Sequence, residues 1–195
     1  MKSHIYRVIA AASVLLPALA FAHPGHDETA TFMSGFLHPL LGLDHMLAAL
    51  AVGLLAAQRK SIGRWALPAS FVLAMLAAFI VAREMPAWPA AEMLVAISLI
   101  GLGAAYFLGG RVPLLGAIVV TLFGAVHGYV HGIELPGEGN WIVYALGLAL
   151  ATAFAHALGV SIGTRVDPRI RLAAKVAAVM IASAGAALLG MQLAG

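Results

Sequence analysis

The sequence predicts an all-α integral membrane protein, a compact bundle of six transmembrane helices that follows a cleaved signal peptide. Of the 195 residues, 63% are hydrophobic and only 10% are charged, whereas soluble domains carry about 25% charged residues. The mean hydropathy is +1.00, and the apolar residues fall into long stretches. This composition predicts that the chain resides in a bilayer, and it excludes soluble enzymes and nucleic-acid-binding proteins as first interpretations.

Residues 1–22 have the organisation of a secretory signal peptide. Lys2 and Arg7 form a basic start, an apolar run covers residues 8–20, and a small-x-small pattern closes the segment. An uncleaved first helix is the alternative, but the apolar run is shorter than the ~20 residues that span a bilayer. We therefore expect a mature domain at 23–195, placed in a bacterial inner membrane with a periplasmic N-terminus.

Six apolar stretches of the mature region are each close to the ~20 residues that a transmembrane helix requires. Helices are expected because they satisfy every backbone hydrogen bond within the segment. The stretches cover roughly residues 35–57, 65–83, 91–109, 113–131, 141–162 and 172–193. Since the connections between them are short, the six helices form a single domain.

The charged residues of the connections predict the orientation of the bundle. The basic residues predicted on the inner side are Arg59, Lys60, Arg64, Arg111, Arg165, Arg169, Arg171 and Lys175. Only Arg83 falls on the outer side, which agrees with the positive-inside rule. Most acidic residues lie on the outer side, where they would either concentrate cations or simply occupy the surface that the basic residues leave.

The segment HGYVHGIE, at the outer end of the fourth predicted span, carries three ligand-type side chains. On a helix His127, His131 and Glu134 stand at i, i+4 and i+7, so they share one face. Two imidazoles and a carboxylate suit a first-row divalent metal ion, although polar side chains at a membrane interface are the plainer alternative. Gly128 and Gly132 would either leave space beside the imidazoles or loosen the helix end.

The segment HPLLGLDH, at the outer end of the first span, places His38, Asp44 and His45 in apolar surroundings. Pro39 favours a non-helical His38 and a helix that begins at the proline. An ionised Asp44 in lipid needs a cation, a proton or water as its partner. Asp44 and His45 point about 100° apart on a helix. Both residues could serve a single site if Gly42 distorts the helix, or they could bridge two neighbouring sites. Alternatively, Asp44 orients an imidazole by accepting its hydrogen bond.

Three further histidines are candidate metal contacts. His156 lies in the middle of the fifth span, one turn after Thr152, where it either lines a polar path or hydrogen-bonds a neighbouring helix. His23 and His26 stand at the predicted mature N-terminus, where they would capture a metal ion or form a polar tail. The chain has no Cys, which excludes thiolate metal sites and disulfides.

Both signatures resemble those of the HupE/UreJ family of bacterial nickel permeases. The family's His-x5-Asp-His motif is matched by His38, Asp44 and His45, and its His-Gly-x-x-His-Gly-x-Glu motif by residues 127–134. The resemblance covers the whole chain, including the signal peptide and the mature start. The separate nickel/cobalt transporter family has a four-residue spacer in its first motif and more helices. Val126 stands where the family often has an aromatic residue.

The resemblance implies a permease, not an enzyme, that takes up Ni²⁺, or Co²⁺ in some relatives, for nickel enzymes such as hydrogenase or urease. No catalytic cofactor is implied, and the partners are the divalent ion and membrane lipid. Ni²⁺, Co²⁺ and Zn²⁺ all accept N and O ligands, and facilitated diffusion and ion-coupled transport both remain open.

Two other classes are alternatives. An intramembrane metalloenzyme should carry a motif such as His-Glu-x-x-His, which is absent from the sequence. A haem-binding electron carrier requires His pairs at matching depths on facing helices, and a visible absorption spectrum would identify it.

Overall fold

The computed structural model describes residues 29–60, 63–88, 90–108, 113–165 and 167–194. The helices are α1 (Phe32–Leu41), α2 (Leu43–Ala57), α3 (Gly63–Ala82), α4 (Ala91–Leu108), α5 (Pro113–Ile133), α6 (Trp141–Gly163) and α7 (Pro168–Ala194). Within this part of the chain there is no strand, and Ala30 and Gly139 form an isolated bridge. The all-α prediction is therefore confirmed. The predicted signal peptide lies outside the described residues.

Among the described residues, five helices, α3 to α7, are long and apolar enough to cross a membrane. Their bounds agree with the last five predicted spans to within a few residues, and the chain is a multi-pass membrane protein. The largest difference is at α7, which begins at Pro168 rather than near residue 172. The Asp167 carboxylate accepts the Arg169 backbone N–H at 2.7 Å, and proline suits the first helical position, so the helix starts earlier than hydropathy indicates.

The first predicted span is not one continuous helix. α1 and α2 meet at Gly42 with a bend of 81° between them, and they pass the length and hydropathy test only when taken together. Gly42 has φ −70° and ψ 107°, an extended conformation that ends α1 and begins α2. The pair is therefore either a broken span or a re-entrant segment, and the predicted span over 35–57 is present only if the two helices together cross the membrane.

A non-helical His38 and a helix that begins at Pro39 were predicted. This prediction was wrong, because both residues lie inside α1. The helix starts earlier because Thr31 and Ser34 cap it reciprocally, with Ser34 in the place that Glu or Gln usually takes in a capping box. Proline lacks the N–H that an interior helical position needs. Since α1 ends two residues after Pro39, the disruption is confined to its last turn.

The helices pack in four main pairs, which are α3 with α5, α4 with α7, α6 with α1, and α6 with α2. In the first pair, Gly124, Gly128 and Gly132 of α5 lie directly against the α3 backbone. A Cβ at Gly128 would overlap the Met75 carbonyl oxygen. The glycines of the second signature therefore allow close helix packing, and they neither leave space beside the imidazoles nor loosen the helix end.

Candidate metal centre

The two signatures meet at one end of the bundle, which we call the site end. There α3 and α5 finish, α4 and α6 begin, and the α1–α2 joint lies across the start of α6. His38 and Asp44 flank this joint, and Glu134 directly follows the last residue of α5. The Glu134 backbone N–H still donates to the Val130 carbonyl at 3.0 Å, so its position continues the helical stripe.

Four imidazoles, those of His38, His45, His127 and His131, form what we call the imidazole cluster. The ring centre of His45 lies 4.3 Å from that of His131 and 5.1 Å from that of His127. The His38 ring centre lies 5.0 Å from that of His131. The predicted common face of His127 and His131 is thus present, and the α1–α2 joint brings two more imidazoles against it.

Asp44 and His45 form a close pair at the start of α2. One carboxylate oxygen, Asp44 Oδ1, accepts the His45 backbone N–H at 2.9 Å and lies 2.8 Å from His45 Nδ1. When Nδ1 carries the proton and donates it to the carboxylate, Nε2 presents a lone pair to the cluster. This is the hydrogen bond that the orienting alternative for Asp44 requires. Gly42 lies beside the pair, where an added Cβ would be 3.3 Å from Asp44 Oδ1.

His127 is fixed in a similar way by its own helix. Its Nδ1 lies 2.9 Å from the Phe123 carbonyl oxygen, which can only accept a hydrogen bond. Nδ1 therefore donates, and the opposite nitrogen, Nε2, holds a lone pair. Backbone and carboxylate acceptors thus set the ring orientation of two cluster members before any ion binds.

Several ring nitrogens of the cluster are buried without a hydrogen-bond partner among the described residues. They are His45 Nε2, His127 Nε2 and His131 Nδ1. Leaving a buried polar atom unsatisfied costs about 1–3 kcal/mol, and native structures rarely do so without a reason. Ring nitrogens without partners, gathered in one place, are suited to a ligand that accepts electron pairs.

Three potential metal ligands, which we call the triad, stand at the exposed edge of the cluster. His38, His131 and Glu134 each offer one ligand atom, and these atoms all lie within 4.8 Å of one another. His38 Nε2 is 3.5 Å from Glu134 Oε2, and these side chains are 18% and 33% exposed. Because His45, His127 and His131 are buried, access to the centre is from the site end, past His38 and Glu134.

Carboxylates give this region a negative potential. Asp44 contacts His45 directly, and Glu134 and Glu92 both act on His45 electrostatically. Glu92 lies in the first turn of α4. Three carboxylates close to the imidazole cluster would attract a dication and compensate its charge in the bundle.

His156 does not belong to the imidazole cluster. It is completely buried in α6, and its ring centre lies 5.2 Å from that of Phe71, which in turn lies 5.4 Å from that of His127. The remaining predicted contacts, His23 and His26, lie outside the described residues.

Sequence reasoning did not identify several residues that shape the site. Phe71 contacts two of the histidines, and the Tyr144 ring centre lies 6.2 Å from that of His38. The Phe123 carbonyl, which accepts from His127, and the electrostatic effect of Glu92 on His45 were also missed. Isolated aromatic and acidic residues in apolar helices carry no spacing signal that would distinguish them from core or interface residues.

Comparison with known proteins identifies the family of the chain. The sequence profile described as HupE / UreJ protein matches residues 11–188. The chain is 37% identical over 180 residues to "Protein HupE" of Rhizobium leguminosarum bv. viciae, with 91% of this chain and 94% of that protein covered. No solved structure matches the chain significantly. The chain therefore belongs to the HupE/UreJ family, whose members are associated with nickel and cobalt transport.

Proposed function

We propose that this protein is a permease that takes up Ni²⁺ through a His/Asp/Glu site at the site end of the bundle. The observation that supports this most is the triad of His38, His131 and Glu134, backed by buried imidazole nitrogens without partners. Imidazole and carboxylate ligands suit nickel and cobalt. Membership in a metal-transport family favours transport over catalysis, so no catalytic cofactor is assigned.

In this proposal the ion first meets His38 and Glu134, the exposed members of the site. It then moves toward His131, His45 and His127, whose lone pairs replace water molecules of its hydration shell. Asp44 fixes the His45 ring and balances part of the ionic charge. Transport requires release as well as binding, and a site whose imidazoles offer overlapping ligand sets lets the ion exchange partners stepwise.

We further propose that the site end faces the periplasm and that the protein lies in the inner membrane. The distribution of Lys and Arg along the chain supports this orientation. The bridge between Ala30 and Gly139 holds the start of the described chain beside the loop after Glu134. We propose that His23 and His26 capture Ni²⁺ at the mature N-terminus, after removal of a signal peptide at 1–22.

The test is uptake of radioactive Ni²⁺ in cells without other nickel importers, with Co²⁺ and Zn²⁺ as competitors. We expect saturable uptake in cells that produce the protein, and a loss of uptake when His131→Ala removes a central ligand. Val130→Ala is the matched control, because it removes buried apolar volume from the same helix but no nitrogen. Absence of Ni²⁺ uptake by the correctly inserted wild-type protein would refute the proposal.

A further inference from the structure

His156 is a buried polar side chain that the imidazole cluster does not use. It lies on α6 with 0% exposure, and neither of its ring nitrogens has a hydrogen-bond partner among the described residues. Any imidazole carries at least one N–H, and a neutral one also carries an acceptor nitrogen. Burying both nitrogens without partners is unfavourable, so the position favours a ligand that approaches the ring from the core of the bundle.

A continuous line of ring contacts joins His156 to the imidazole cluster. The Phe71 ring on α3 touches His127 of the cluster and meets His156 at an interplanar angle of 89°. Aromatic rings attract a cation within about 6 Å of their centre. Phe71 therefore separates the two groups of nitrogen atoms without presenting a purely repulsive barrier to a cation.

The seam between α3 and α6 carries further polar and polarizable atoms beside this line. Thr152, one turn from His156 toward the site end, donates a hydrogen bond to the Leu148 carbonyl at 2.9 Å. Its hydroxyl oxygen also lies 3.8 Å from Met75 Sδ, and both residues are buried. The Thr152 hydroxyl oxygen and the Met75 sulfur thus lie in the same seam as the Phe71 ring, within an otherwise apolar core.

On the side away from the site end, the bundle is closed beside His156. α2 and α6 pack backbone against backbone there, and an added Cβ at Gly159 would lie 2.9 Å from Gly53 Cα. An added Cβ at Gly53 would overlap the His156 carbonyl oxygen. An ion that reached His156 would therefore meet this close contact between α2 and α6 on that side.

We propose that His156 is a second, inner station for a divalent cation, reached from the imidazole cluster past the Phe71 ring. This inference rests on the proposed function, because it assigns the next step of the same ion. One imidazole, with water molecules that the ion retains, binds weakly enough for release. The cluster then governs capture of the ion, and His156 governs its onward movement.

The experiment separates these two roles by measuring both binding and transport of Ni²⁺. Wild-type protein and His156→Phe are purified in detergent for equilibrium Ni²⁺ binding and reconstituted in vesicles for initial rates of uptake. Phenylalanine fills the ring volume in apolar surroundings without supplying a nitrogen. We expect the maximal rate of His156→Phe to fall about tenfold or more, as loss of a metal contact predicts, while the KM for uptake and the affinity of the cluster are unchanged.

Two controls keep the result interpretable. Leu148→Ala removes volume from a buried position of the same helix and should leave the rate per inserted protein near wild type. If His156→Phe is not inserted, His156→Gln replaces it, with the same expected drop in maximal rate and the same unchanged KM.

A wild-type maximal rate in the inserted His156 variant would overturn the inner station while leaving the proposed function intact. A rise in the KM of His156→Phe with an unchanged maximal rate would also overturn it, because His156 would then act as a member of the cluster. A wild-type protein that neither binds nor carries Ni²⁺ would instead remove the proposed function, and the inner station with it.

Discussion

The imidazole cluster lies between two walls whose backbones differ. We call α5 the fixed wall and the α1–α2 pair the jointed wall. α5 is one uninterrupted helix held against α3 by close backbone contacts at its glycines, and it carries His127 and His131 on one face. The opposite wall is broken, because His38 lies before the 81° bend and the Asp44–His45 pair lies after it. The first wall fixes the spacing of its ligands, whereas a change in the backbone torsions of Gly42 would reorient the second. A site between these two walls can bind an ion and also release it, because the residues of the jointed wall can change their orientation.

The largest effect should come from Asp44, which holds the jointed wall together. Asp44→Ala removes the acceptor of both the His45 backbone N–H and His45 Nδ1, together with a charge that balances the ion. We expect Ni²⁺ uptake to be abolished while the protein still inserts into the membrane, measured by uptake assay and by protein level in membranes. Normal accumulation of Ni²⁺ in this variant would refute the site.

The fixed wall is tested next at Glu134, the carboxylate of the triad. Glu134→Gln keeps the size of the side chain and removes its charge, so we expect a 10- to 100-fold increase in the KM for Ni²⁺, the range seen when a metal site loses a supporting group. Glu138→Gln removes the same charge from an exposed position four residues later and should leave the KM unchanged. Equal effects of the two variants would show that only the surface charge matters.

A smaller effect on uptake is expected from a change in the contact between α5 and α3. A Cβ at Gly128 would overlap the Met75 carbonyl oxygen, so Gly128→Ala should move α5 and destabilise the protein by about 1–3 kcal/mol. The measurement is thermal unfolding in detergent together with the uptake rate. Gly190→Ala is the control, because nothing lies within 4 Å of the added methyl group; a Gly128→Ala protein as stable and active as this control would contradict a tightly seated wall.

The joint itself gives the smallest expected effect. Alanine can adopt the φ and ψ of Gly42, but its Cβ would lie 3.3 Å from Asp44 Oδ1 and 3.5 Å from His45 Nδ1. Gly42→Ala should therefore lower uptake only about two- to threefold, a change below about 1 kcal/mol, with Gly63→Ala as the control in open space. Complete loss of uptake would show that the joint must adopt a conformation that only glycine allows.

Much of the fixed wall could be predicted from the sequence, and much of the jointed wall could not. Hydropathy located α3 to α7, and the i, i+4 spacing placed His127 and His131 on one face, because both signals depend on local geometry. The bend at Gly42 and the helical His38 depend on the Thr31–Ser34 cap and on packing of α1 against α6, which override the local preference of the residue before proline. The contacts of Phe71 join three helices, so they produce no recognisable residue spacing within any single helix.

The central claim is that both walls hold one ion, and a double-mutant cycle tests it most directly. The affinity of the purified protein for Ni²⁺ is measured for wild type, His38→Ala, Glu134→Gln and the double variant, one residue coming from each wall. If His38 and Glu134 bind the same ion, their effects are coupled, and the double variant departs from the sum of the single variants by about 0.5–3 kcal/mol. Strictly additive effects would contradict the account, because they would place the two signatures in separate sites.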